Sequence, residues 1–122
     1  MQVVIVEPKK KPMVQNINDG LEAMQKIVGG TIQAIYPFDE PIALICNDEG
    51  KFLNLPLNRA LRDSTGCVYD IVAGTFFLCA APPDSDSFGS LTEEQTQTCL
   101  KRFAAPEQFI QVRDAVFVLP AP

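Results

Sequence analysis

Apolar residues recur along this chain with two different periods. The stretches QVVIVE (2–7), TIQAIYP (31–37), PIALICN (41–47), CVYDIVAG (67–74) and TFFLCAA (75–81) carry short apolar or alternating runs, rich in β-branched and aromatic residues and bounded by turn formers. That pattern predicts strands. QVVIVE and TFFLCAA are almost continuously apolar, so each is expected to be buried on both faces, the second at the centre of a sheet. MVQNI (13–17) is expected to fold back on the first strand through the exposed turn PKKKP, giving a hairpin. KFLNL (51–55) reads as a further short strand after the turn NDEG, where Gly50 is expected at positive φ. Gly74 marks a bulge or a close backbone approach.

The period becomes helical from Asn18. Leu21, Met24, Ile27 and Val28 fall on one face and Glu22, Gln25 and Lys26 on the other, which predicts a helix over about 19–28. Asn18 or Asp19 is its expected cap and Gly29 its left-handed stop. After the loop APPDSDSFG, Ser90 and Glu93 have capping-box spacing for a second helix over about 91–103, with Leu91, Cys99, Leu100 and Phe103 as its buried stripe. AVFVLPAP (115–122) has strand composition but ends in prolines, which suits an edge strand or a docked tail. Strands with two inserted helices and hairpin-length connections predict an α+β fold: one domain over 1–122, with a mostly antiparallel, twisted sheet of about 5–7 strands. The order of the strands stays open.

Composition narrows the function classes. A chain of 122 residues buries roughly 65% of its unfolded surface, enough for one core without staples. The net charge of −5 argues against phosphate-backbone binding, so no nucleic acid is expected as partner. The N-terminus lacks the pattern of a secretory signal, and no segment approaches the roughly 18 apolar residues of a membrane helix. A cytoplasmic location is expected. Cys46, Cys67, Cys79 and Cys99 form no C-x-x-C pair and are read as reduced packing residues. The chain has no histidine, which removes histidine-dependent triads and Cys-His zinc sites. No cofactor and no metal are expected.

Other candidates for chemistry are weak. DSDSFGSLTEEQ (84–95) places Asp84, Asp86 and Gly89 as a calcium loop would, but Phe88 stands at a ligand position and Gln95 replaces the bidentate glutamate. Asp39-Glu40 and Asp48-Glu49 are adjacent pairs, which in extended chain point to opposite faces. IVGG and VAGT lack the glycine spacing that cradles phosphate. In CVYDIVAG, Tyr69 and Asp70 should face opposite ways.

The segment LPLNRALRD (55–63) remains. If Asn58 starts one helical turn, Arg59 and Arg62 lie on one side while Ala60 and Leu61 pack inward. Two guanidinium forks facing one point suit a carboxylate or phosphate. The alternative is a local ion pair of Arg62 with Asp63 or Asp70 and a solvated Arg59. On the first reading Asn58, Arg59, Arg62 and Asp70 form the ligand-binding set, with no catalytic residue.

The strings IVGGTIQAIYPFDEPIALICNDEGK, LPLNRALRD, YDIVAGTFFLCA and FGSLTEEQ, in this order, resemble an uncharacterised family of bacterial mobile elements and phages, domain of unknown function 3846. The resemblance covers about residues 1–109 and leaves a C-terminal strand or tail over 110–122. It carries no catalytic role with it. It implies a small accessory protein of a phage or mobile element in the cytoplasm of a bacterial host cell. Three functions follow as expectations. The first is a non-enzymatic, anti-defence binder of a nucleotide-like anion or a host protein. The second is a carboxylate-dependent enzyme acting on nucleotides through Asp70 and Asp63. The third is a self-associating, homo-oligomeric module joined by edge strands such as AVFVLP.

Overall fold

The computed structural model describes residues 1–121. Among them are nine strands and two helices: β1 (Gln2–Val6), β2 (Met13–Asn16), α1 (Leu21–Val28), β3 (Ile32–Ile35), β4 (Ile42–Asn47), β5 (Leu57–Arg62), β6 (Val68–Ala73), β7 (Phe76–Ala80), α2 (Glu93–Arg102), β8 (Glu107–Val112) and β9 (Ala115–Pro120). The fold is α+β. Five strands form one antiparallel sheet in the order β2-β1-β7-β4-β3, while β5-β6 and β8-β9 are separate two-stranded ribbons.

The apolar pattern explains the sheet. TFFLCAA becomes β7, every residue of which is buried, and it lies at the centre with β1 and β4 on either side. Leu78 pairs with Val4 on one side and Leu44 on the other, so alternate residues of three strands form a single apolar row. Because side chains alternate across a sheet, each face has its own core. One face holds Val3, Ile5, Ala43, Ile45 and Phe77 against Met24 and Val28 of α1. The other packs Val4, Leu44 and Leu78 against Leu61 and Val72 of the β5-β6 ribbon and Cys99 and Phe103 at α2. The molecule is therefore layered as helix, sheet, then helix and ribbon side by side.

Several local expectations are corrected. Gly20, not Asn18 or Asp19, is the N-cap of α1 and offers no side-chain bond. Asp19 instead accepts from the N-terminal ammonium of Met1 at 3.0 Å. Gly29 ends the helix at φ 81°, as expected. For α2 the capping box is formed by Thr92 and Gln95, two residues beyond the Ser90–Glu93 pair, and Ser90 Oγ accepts from the Gln2 amide at 2.9 Å. Thr96 joins the buried stripe of α2, since its hydroxyl is satisfied by Gln2 and by the Thr92 carbonyl.

KFLNL is not a strand. Residues 48–54 coil into turns, with Leu53 N–H donating to Glu49 O at 2.8 Å and Leu55 N–H to Gly50 O at 3.0 Å. Gly50 does not take positive φ; Asn54 does, at 57°. Glycine is needed at position 50 because a Cβ would stand 2.8 Å from the Ala73 carbonyl oxygen. Gly74 is not a bulge: it joins β6 to β7 at φ 82°, and the close approach is the one expectation that holds, since a Cβ would meet Leu55 at 2.8 Å. AVFVLP is the second strand of a hairpin whose first strand, β8, was hidden in a proline-containing stretch; Pro122 lies outside the described residues.

Candidate functional site

LPLNRALRD is a strand, not a helical turn. It forms β5 and pairs with β6 through two bulges: Asn58 is the extra residue between Leu57 and Arg59, and Tyr69 is the extra residue opposite Leu61 and Arg62. Pairing with β6 overrides the weak helical signal, and in the extended chain Leu61 reaches the shared core while Asn58, Arg59 and Ala60 are buried beside it. The bulge turns the Asn58 amide inward, where its Nδ2 donates to Val6 O at 2.8 Å and Gly74 O at 2.9 Å.

Arg59 is 1% exposed and bonds neutral oxygens only. Nε and Nη2 donate to Phe103 O at 3.3 and 3.2 Å, and Nη2 also reaches Lys10 O at 2.6 Å. Nη1 donates to Asn58 O at 3.2 Å and to Asn58 Oδ1 at 3.0 Å. These contacts engage all three nitrogens of the guanidinium, so it has little capacity left for a ligand. Burial pushes the Arg59 pKa down, partly countered by the Glu107 carboxylate. The C-terminal end of α2, where carbonyls carry partial negative charge, helps hold the cation. Asn58 and Arg59 are thus a structural clasp that joins the β1-β2 turn, β5 and the end of α2.

Arg62 has a different partner. Its Nη2 donates to Glu107 Oε2 at 2.7 Å, while Glu107 Oε1 accepts the Ala60 amide at 3.1 Å. Neither Asp63 nor Asp70 pairs with an arginine. Asp63 Oδ1 accepts from Thr65 N, Thr65 Oγ1 and Cys67 N, and these bonds hold its carboxyl below the usual carboxylate range. Asp70 accepts from the Lys51 ammonium and from the Ile71 amide. The four predicted ligand residues therefore do not converge: two are buried in the clasp, and Arg62 and Asp70 line separate depressions.

Arg62 lies in an open groove of about 890 Å³. Lys101 and Arg102 from the last turn of α2, Tyr36 from the β3-β4 connection, and Tyr69 at the β6 bulge line it with Arg62. Tyr36 and Tyr69 are 62% and 57% exposed as whole residues. Arg102 Nη2 donates to Arg62 O at 3.0 Å, which ties the helix end to the ribbon. The carboxylates Asp39, Glu40 and Asp63 share the groove, so it offers both cationic and acceptor-rich ground. Sequence reasoning missed the tyrosines, Lys101, Arg102 and Glu107, which lie far apart in the chain and meet only through the fold. Asp70 borders another cleft, of about 750 Å³, between the loop after β4 and β6.

All buried side-chain polar atoms among the described residues are satisfied. No cluster of three or more cysteine or carboxylate side chains suited to a metal ion occurs among them. No helix there is long and apolar enough to cross a membrane.

Comparison with known proteins gives one match. A family model described as Domain of unknown function (DUF3846) covers residues 1–104, which takes in both depressions and ends just before the β8-β9 hairpin. No curated protein and no solved structure matches the chain.

Proposed function

The chain belongs to the DUF3846 family, and from that premise we propose that it is a non-enzymatic binder of a small, anionic, nucleotide-like ligand held in the groove at Tyr36 and Tyr69. The observation that carries the reading is the meeting of two exposed aromatic rings with three cations in one concavity. Its volume falls in the range of small-molecule sites. Tyrosine rings left bare in water are stacking surfaces for a base. Arg62, Lys101 and Arg102 suit phosphate, and the Asp39, Glu40 and Asp63 carboxylates suit ribose hydroxyls or exocyclic amines.

The carboxylates considered for acid–base work favour binding over catalysis. Asp63 is locked in its own turn with a lowered pKa, and Asp70 is engaged by Lys51. A general acid would need the opposite shift. The setting belongs to the same proposal: an accessory protein of a phage or mobile element, acting against host defence in the bacterial cytoplasm. It rests on the family resemblance of the sequence strings. Incubation with a panel of cyclic and ADP-ribose-type nucleotides tests the binding claim: at least one should raise the thermal midpoint, and Tyr69→Ala/Arg102→Ala should abolish the shift.

A second reading has its own observation. On the outward face of the β8-β9 hairpin, Ile110, Val112, Phe117 and Leu119 are each more than 40% exposed. Such a face supports an interaction module that engages a host protein or a second copy of the chain. Light scattering at increasing concentration separates the second copy from the rest.

A further inference from the structure

The cleft beside Asp70 is chemically unlike the groove. Its floor is apolar, built by Ile35, Cys46 and Val72, and its rim carries Asp48, Glu49 and Asp70 against the single cation Lys51. The loop that forms the rim is well fastened. Asn47 Nδ2 donates to Val28 O at 3.1 Å, Asn47 Oδ1 accepts the Glu49 amide at 2.8 Å, and Gly50 is wedged against Ala73. On this fastened loop Phe52 is 87% exposed, a large ring held in water at the mouth of an apolar cleft.

One group in the cleft shows what the rim accepts. The Lys51 ammonium is bonded to Asp70 Oδ1, with the two side chains 61% and 42% exposed. Exposed pairs of this kind contribute little, so another ammonium can displace the lysine at small cost. We infer that this cleft binds a small organic primary amine with an apolar body. The ligand's ammonium takes the place of Lys51 on Asp70, Asp48 and Glu49 add long-range attraction, and the body lies between Phe52 and the apolar floor. An anionic ligand is disfavoured by the same carboxylates. The site is independent of the nucleotide proposal.

Titration of the full chain with phenethylamine at pH 7, followed by amide chemical shifts, tests the inference, with phenylacetate as the control of opposite charge. Saturable shifts at Gly50 and at Asp70 to Ala73 are expected for the amine and none for the acid. Removing the internal competitor, by Lys51→Met or independently Lys51→Gln, should tighten binding about threefold, and Asp70→Asn should weaken it about fivefold. Equal response to amine and acid, or affinities indifferent to positions 51 and 70, would overturn it. The spectra themselves report whether each variant is folded. Shifts confined to the amides of Tyr36 and Arg102 would place the amine in the groove and overturn the inference equally.

Discussion

Arg59 and Phe103 are joined twice: Nε and Nη2 of the arginine both donate to the phenylalanine carbonyl oxygen, at 3.3 and 3.2 Å. The same guanidinium holds Lys10 O and Asn58, so one side chain fixes the end of α2 to β5 and to the first hairpin. Arg59→Met removes the donors and leaves buried carbonyls without partners, a loss of about 3 kcal/mol. Arg59→Lys should recover little of it, since an ammonium cannot span the fork. Urea unfolding checks this; a loss under about 1 kcal/mol for Arg59→Met would contradict the clasp.

Glu107 should hold the C-terminal hairpin in place. Glu107→Ala breaks both the bond to the Ala60 amide and the pair with Arg62, for a loss of about 2 kcal/mol, and Glu107→Gln should lose less because its oxygen still accepts the amide. Isolated two-stranded ribbons are marginal in water, so undocking should speed hydrogen exchange across β8 and β9 while β7 stays protected. Unchanged exchange in the hairpin of Glu107→Ala would show that apolar contacts suffice.

The thiols should divide into one and three. Cys67 is exposed, whereas burial pushes Cys46 up to about 11 and Cys79 and Cys99 up to about 12. A disulfide reagent at pH 8 should modify one thiol rapidly in the folded protein and four after denaturation. Because the folded state keeps these protons after the unfolded chain has released its own, stability should fall as pH rises above about 9. Rapid modification of a second thiol, or flat stability from pH 8 to 10, would contradict the burial.

At acid pH the sign reverses for Asp63. Its folded pKa lies below the ordinary value, so its contribution is full above about pH 4 and is lost as pH falls through the folded pKa. Asp63→Ala should therefore be less sensitive to acid than wild type in thermal melts between pH 5 and pH 2.5. Parallel melting curves would contradict this account of the β5-β6 turn.

The strands of the main sheet were legible because their apolar runs answer to a single cause, burial on one or two faces. TFFLCAA could be little else than a central strand, and Gly74 announced a constraint that the structure supplies as Leu55. The errors share a cause as well. NRALR has enough helical character to mislead, and its true state is set by pairing with β6, a partner that local spacing does not reveal. β8 was obscured by Pro106 beside its first residue, and its pairing needs the turn at Arg113, a residue that seldom takes the φ of 57° seen there. The candidate site was half visible. Arg62 was singled out, but Tyr36, the end of α2 and Tyr69 reach it from distant segments on either side or across a bulge, and Arg59 was consumed by carbonyls that no sequence pattern marks.

Occupancy of the groove is tested most directly by amide chemical-shift mapping during titration with cyclic and ADP-ribose-type nucleotides. Binding at the proposed site predicts saturable shifts centred on Tyr36, Arg62, Tyr69 and Arg102 for at least one nucleotide, lost in Tyr69→Ala/Arg102→Ala with the fold intact. No saturable shift for any nucleotide, or shifts that persist in the double variant, would contradict it.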